Sequence, residues 1–233
     1  MDKFLIKGPC KVKGTVNISG SKNASLPILA ASILFDEMVE IKNLPNVRDI
    51  DTMLSLIKSL GFNVKQNKNS NSVVIKKSKK INTFASYSLV KTMRAGILVL
   101  GPLITKFGKA KTSLPGGCLI GARPINYHLN ALKKLGMNYK IEKGYVNAFA
   151  KSKLTGSNIF FPKISVGATE NAILAATLAN GKTILKNCAI EPEIKNDLTN
   201  FLNQAGAKIK WVGKRTVEIL SLIHISEPTR LRS

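Results

Sequence analysis

Three segments of this chain end a helix in the same way. Leu56-Ile57-Lys58-Ser59-Leu60-Gly61-Phe62-Asn63-Val64, Ala131-Leu132-Lys133-Lys134-Leu135-Gly136-Met137-Asn138-Tyr139 and Phe201-Leu202-Asn203-Gln204-Ala205-Gly206-Ala207-Lys208-Ile209 share one grammar. Each runs from an amphipathic helical turn through a glycine into a strand pattern. The glycines lie 75 and 70 residues apart, and a glycine just past a helix supplies the left-handed cap. A hairpin-like pair follows each one: residues 64–66 with 73–75, 139–142 with 145–149, and 208–212 with 216–219. A second echo lies upstream. Residues 23–35, 37–41 and 43–45 match 171–178, 182–185 and 187–192, each reading as apolar helix, strand, then an Asn/Pro turn. With residues 14–18 as the opening strand, the unit is strand–helix–strand–helix–strand–strand, used three times. Periods this long predict a threefold pseudo-symmetric α/β domain rather than a solenoid. Residues 24–35 and 172–179 are apolar on nearly every side, so their helices are expected inside a shell of other elements.

Composition bounds the rest. The chain has 233 residues, 44% of them hydrophobic, enough to bury a sizeable core. Its longest apolar stretches, 24–35 and 95–104, are interrupted by Pro27 and Pro102 and are shorter than a membrane span. The N-terminus lacks the apolar core of a signal peptide, so a cytoplasmic protein without membrane partners is expected. Cys10, Cys118 and Cys188 are odd in number and widely spaced, and only His128 and His224 are present. That argues against a disulfide framework or a metal site, and no cofactor is expected.

The net charge of +23 invites a nucleic-acid reading. Yet 30 of the 36 basic residues are Lys, and 20 Asn accompany them. Both residues use A-rich codons, so an AT-rich coding sequence accounts for lysine spread over solvated faces. Four Tyr and one Trp give little of the aromatic interleaving that nucleic-acid binders use. Residues 220–233 contain neither Lys nor Asn, where the upstream rate would put about three. Their sequence reads like a translated sequencing adapter, so the native reading is expected to stop near Ile219.

Four places could carry chemistry. Ser19-Gly20-Ser21-Lys22-Asn23 precedes the first buried helix, with Asn23 a good N-cap. Free N–H groups and an adjacent ammonium there could hold an anion, although an ordinary capped helix with a surface lysine has the same spacing. Pro115-Gly116-Gly117-Cys118 opens a glycine-rich, lid-like loop. Nearby Arg123 would make Cys118 reactive, although a small residue in a flexible loop has the same pattern, whereas Cys10 and Cys188 read as packing residues. Lys91-Thr92-Met93-Arg94-Ala95 puts one of only six arginines at a helix start, where it could fork onto a phosphate or carboxylate or make a structural salt bridge. Lys163-Ile164-Ser165-Val166-Gly167 repeats the first pattern at the third unit. Cations or free N–H groups thus recur at equivalent points, as a multiply anionic small ligand requires.

These motifs, with Leu26-Pro27-Ile28-Leu29, Ile120-Gly121-Ala122-Arg123-Pro124 and Ala168-Thr169, resemble the UDP-N-acetylglucosamine 1-carboxyvinyltransferase family of enolpyruvyl transferases. The resemblance implies an inside-out α/β barrel-like domain of three βαβαββ units, the first half of a protein about twice this length. It places residues 22–219 in that domain, and residues 1–21 with the missing second domain. It also implies the substrates, phosphoenolpyruvate and UDP-N-acetylglucosamine. Cys118 would donate a proton. Lys22 and Asn23 would contact phosphoenolpyruvate, Lys22 offsetting developing charge. Arg94 and Arg123 would add anion contacts. Residues Arg123, Pro124, Ile125, Asn126 and Tyr127, and Lys163, Ile164, Ser165 and Val166, would hold the nucleotide sugar. His128 would lie near the nucleotide. Asn126 departs from the family's usual Asp, and the general base lies in the second domain, so the chain by itself is expected to be inactive. The related shikimate-pathway transferase is the nearest rival, and it lacks a loop cysteine of this kind.

Overall fold

The computed structural model describes residues 3–115 and 125–221. The first unit holds α1 (Lys22–Ala31), a 3-10 turn (Ser32–Leu34), β1 (Val39–Ile41), α2 (Arg48–Ser59), β2 (Phe62–Asn67) and β3 (Ser72–Lys77). The second holds β4 (Phe84–Ala85), α3 (Tyr87–Val90), a 3-10 helix (Arg94–Val99) running into α4 (Leu100–Phe107), β5 (Lys109–Ser113), α5 (Asn126–Lys134), β6 (Asn138–Glu142) and β7 (Tyr145–Phe149). The third holds β8 (Asn158–Phe160), α6 (Val166–Ala176), β9 (Lys182–Lys186), a π-helical stretch (Glu193–Leu198) running into α7 (Thr199–Gln204), β10 (Lys208–Gly213) and β11 (Thr216–Leu220).

The three sheets share one plan. In the order β4-β5-β7-β6, β4 and β5 are parallel and the remaining pairs antiparallel. The order β8-β9-β11-β10 repeats this pairing. The first sheet is β1-β3-β2, with the place of β4 and β8 unfilled among the described residues. The strand expected at 14–18 is therefore not formed. Val16 and Ile18 are 79% and 83% exposed instead. An alternating pattern becomes a strand only where an edge and a covering face receive it. Cys10, expected to pack, is exposed in the same stretch, while Cys188 is buried as expected. At the other end, β11 includes Leu220, and the Ser221 N–H donates to the Gly181 carbonyl (3.1 Å). The fold thus uses two residues beyond Ile219, where the composition shifts.

The three hairpins form as the sequence predicts, because the glycine before each takes the left-handed conformation: φ is 92° at Gly61, 108° at Gly136 and 96° at Gly206. At the second, the Met137 N–H reaches back to the Leu132 carbonyl (3.1 Å) and Gly136 N–H to that of Lys133 (3.0 Å). This double closure ends the helix and aims β6. The sheets alternate buried and open positions, as in β7 and β11. Many lysines, including Lys109, Lys111, Lys208 and Lys210, fall on exposed strand positions.

The helices α1 and α6 are buried continuously from Ala24 to Ala31 and from Ala168 to Ala176. An all-apolar helix is stable in water only when other elements surround it, and here α2, α4, α5 and the sheets do so. No helix among the described residues is long and apolar enough to cross a membrane. None of their His, Cys, Asp and Glu residues group in threes or more to hold a metal.

Candidate functional site

The N-termini of α1 and α6 open on one cavity of about 650 Å³. Both helices are capped alike. The Ser21 hydroxyl accepts from the Ala24 N–H (3.3 Å), and Ser165 from Ala168 (3.4 Å). In each case the residue four positions on, Ser25 or Thr169, donates its hydroxyl back to the cap carbonyl (2.8 Å). Ser21, not Asn23, is thus the cap of α1, because Ser21 has the extended backbone that a cap requires (φ −75°, ψ 130°). Asn23 lies in the first turn, and its side chain lines the cavity. Pro27, one turn on, removes the N–H that would bond the Asn23 carbonyl.

The cavity gathers Asn23, Arg94, Tyr127, Lys163, Ile164, Ser165 and Val166 from four separate stretches of chain. These are seven of the residues singled out in the sequence. Lys22 is not among the lining residues. Its ammonium pairs with Asp49 in the first turn of α2 (3.0 Å) and stays about half exposed. Ile125 precedes α5 and packs against the core, and Asn126 is exposed at its first position. Cys118, Arg123 and Pro124 lie outside the described residues.

His128 also lines the cavity, buried. Burial, and secondarily the Arg94 charge, lowers its pKa to about 4, so the imidazole is neutral. Sequence reasoning missed the acidic wall: Glu170 on α6, with Glu191 and Glu193 beyond β9. Burial, then repulsion from Glu191 and Glu193, raises the Glu170 pKa to about 8. Glu170 is therefore a neutral acid at pH 7. The available signal was Thr169-Glu170-Asn171, three polar residues in succession inside an otherwise apolar helix.

Glu170 gives the protein a stability that depends on pH in a definite direction. Between pH 4.5 and about 8 the unfolded chain loses this proton while the native state keeps it. Stability therefore falls as pH rises through that window. Glu170→Gln is expected to raise the unfolding free energy at pH 8 by on the order of 2–4 kcal/mol, seen as a higher thermal midpoint. The gain should vanish towards pH 4.5. A gain independent of pH in thermal unfolding would contradict this.

The fold is that of the enolpyruvyl transferases. The solved structure of the enolpyruvyl transferase NikO from Streptomyces tendae has the same fold. Its TM-score is 0.78 at 20% identity, covering 90% of this chain and 48% of that one. EPSP synthase from Acinetobacter baumannii gives a TM-score of 0.69 at 19% identity, covering 89% and 47%. The family model for EPSP synthase (3-phosphoshikimate 1-carboxyvinyltransferase) matches residues 6–222, and the chain belongs to this family. Within it, the resemblance read from the motifs holds. The UDP-N-acetylglucosamine 1-carboxyvinyltransferase of Pelagibacter ubique (strain HTCC1062) is 60% identical over 227 residues, 97% of this chain and 54% of the relative. That of Pseudoalteromonas atlantica (strain T6c / ATCC BAA-1087) is 52% identical over 219 residues, 94% and 52%. The chain spans about half the length of the curated relatives it matches.

Proposed function

We propose that the chain is the N-terminal half of an enzyme that moves the enolpyruvyl group of phosphoenolpyruvate to the 3′-hydroxyl of UDP-N-acetylglucosamine. The observation that carries this is the cavity itself. Two capped helix N-termini, Arg94, Lys163 and Tyr127 converge on one space, in a chain 60% identical to a relative bearing that name. The 3′-oxygen bonds to C2 of phosphoenolpyruvate while C3 takes a proton. Phosphate then leaves C2 as C3 gives up a proton, restoring the double bond. Arg94 and Lys163 hold anionic groups, and Tyr127 and residues 163–166 line the place of the nucleotide sugar. Cys118 supplies the C3 proton, with Arg123 and Pro124 beside it in sequence. Lys22 turns from Asp49 to phosphoenolpyruvate when that substrate binds beside Asn23. Ile125 and Asn126 set the start of α5, which carries Tyr127.

The general base belongs to the missing half. The N-terminal stretch belongs there too: Phe4, Leu5 and Ile6 are 87–98% exposed, which is a surface awaiting a partner. Residues 220–233 are a sequencing scar, of which the fold takes up Leu220 and Ser221. The reading carries a cytoplasmic location with it, and a role in peptidoglycan synthesis and so in cell shape and division.

Thiol labelling tests the site. Cys188 is buried, and burial pushes its thiol up to about 12. With exposed Cys10 replaced by Ser, labelling at neutral pH therefore reports Cys118. UDP-N-acetylglucosamine is expected to slow it severalfold. Equal rates with and without the nucleotide sugar would count against the site.

A further inference from the structure

The side chain of Asn171 sits at the meeting point of α6, α4 and the helix that starts at Arg94. Its Oδ1 accepts from the Gly101 N–H (2.7 Å), and its Nδ2 donates to the Ile97 carbonyl (3.0 Å). A backbone N–H only donates and a carbonyl only accepts, so these two groups fix which end of the amide is which. The second Nδ2 proton then faces His128 Nδ1, 3.1 Å away. That nitrogen has to accept, which leaves the imidazole proton on Nε2.

We propose that Asn171 is a positioning residue that locks His128 as the Nε2–H tautomer, so that the cavity wall presents an uncharged N–H donor to an acceptor oxygen of the bound nucleotide sugar. A protonated ring would set one N–H against another at Nδ1. The burial that keeps His128 neutral agrees. On the cavity side, a Cβ at Gly167 would come 3.1 Å from His128 Cε1 and 3.3 Å from Nε2. Nε2 therefore lies against the first turn of α6, next to Ser165 and Val166. The charged side chains lining the same cavity are Arg94, Lys163, Glu191 and Glu193, with Glu170 a neutral acid beside them. An uncharged donor between them binds an oxygen without adding a net charge to a wall that carries both signs. A tautomer fixed by the partner of the opposite ring nitrogen is the usual way a protein sets which nitrogen faces a ligand.

The ligand part of this proposal rests on the function proposed above; the tautomer part does not. Nitrogen NMR of the intact chain with labelled histidine tests both. Only His128 and His224 contribute, and His224→Ala assigns them. At pH 7 His128 should show one protonated nitrogen, Nε2. A proton on Nδ1, a mixture, or an imidazolium overturns the proposal, and this measurement needs no variant to fold. Asn171→Asp replaces the donor with an acceptor and should move the proton to Nδ1. A folded variant that keeps the Nε2–H form would show that Asn171 merely ties helices together, and would also overturn it. Adding UDP-N-acetylglucosamine should shift the Nε2–H signal, and Asn171→Asp should weaken that binding about tenfold. The expected tautomer with no response to the nucleotide sugar in the protein extended to the length of its relatives would overturn the ligand assignment alone, since phosphate release tests the proposed function separately, and would leave the Asn171–His128 assignment standing.

Discussion

Gly101→Ala is expected to destabilise this protein by about 3–5 kcal/mol, although alanine is the better helix former. Gly101 lies in α4 where that helix crosses α6. A Cβ there would be 2.3 Å from Asn171 Oδ1 and 2.6 Å from the Asn171 carbonyl oxygen. Neither atom has room to retreat, because Asn171 is fully buried and held by backbone partners on both sides. Moving α4 outward instead would open gaps around Leu100 and Leu103, both fully buried. The variant also loses or strains the buried Gly101–Asn171 hydrogen bond. At about 2–4 °C per kcal/mol for a chain of this size, the thermal midpoint should fall by roughly 6–20 °C. A midpoint equal to or above that of the parent would show that the two helices do not pack this closely.

Arg94→Ala should cost about 10²–10³-fold in kcat/KM, measured by phosphate release in the protein extended to the length of its relatives. Arg94 lines the cavity at the start of its helix and is close enough to His128 to lower its pKa. A guanidinium in that place can fork onto a phosphate or carboxylate with two parallel bonds. Arg94→Lys should therefore recover little, since an ammonium is a point charge without the fork. Activity within a few-fold of the parent in either variant would remove Arg94 from the anion contacts.

The parts of the fold that depend on local chemistry were legible in the sequence. The three glycines announced their caps because no other residue takes that conformation as readily. The hairpins followed from strand patterns separated by short polar turns, and the buried helices from apolar residues on every side. Features that depend on distant partners were not legible. Residues 14–18 have a strand's alternation, but an alternating pattern does not say whether an edge will receive it. Ser21 and Asn23 are both good caps, and only the backbone angles decide between them. The Lys22–Asp49 pair joins residues from two helices, which no spacing announces. The acidic wall was hidden for a similar reason. Glu170, Glu191 and Glu193 meet only after the chain turns through β9, which no spacing announces. Many of the lysines lie on exposed strand positions, and Arg94 and Lys163 line the cavity.

The most direct test of the central claim is phosphate release from phosphoenolpyruvate, with the candidate acceptors supplied separately. The protein extended to the length of its relatives should release phosphate with UDP-N-acetylglucosamine and not with 3-phosphoshikimate, and the 233-residue chain alone should release none. Release with 3-phosphoshikimate in place of the nucleotide sugar, or by the 233-residue chain alone, would contradict the account.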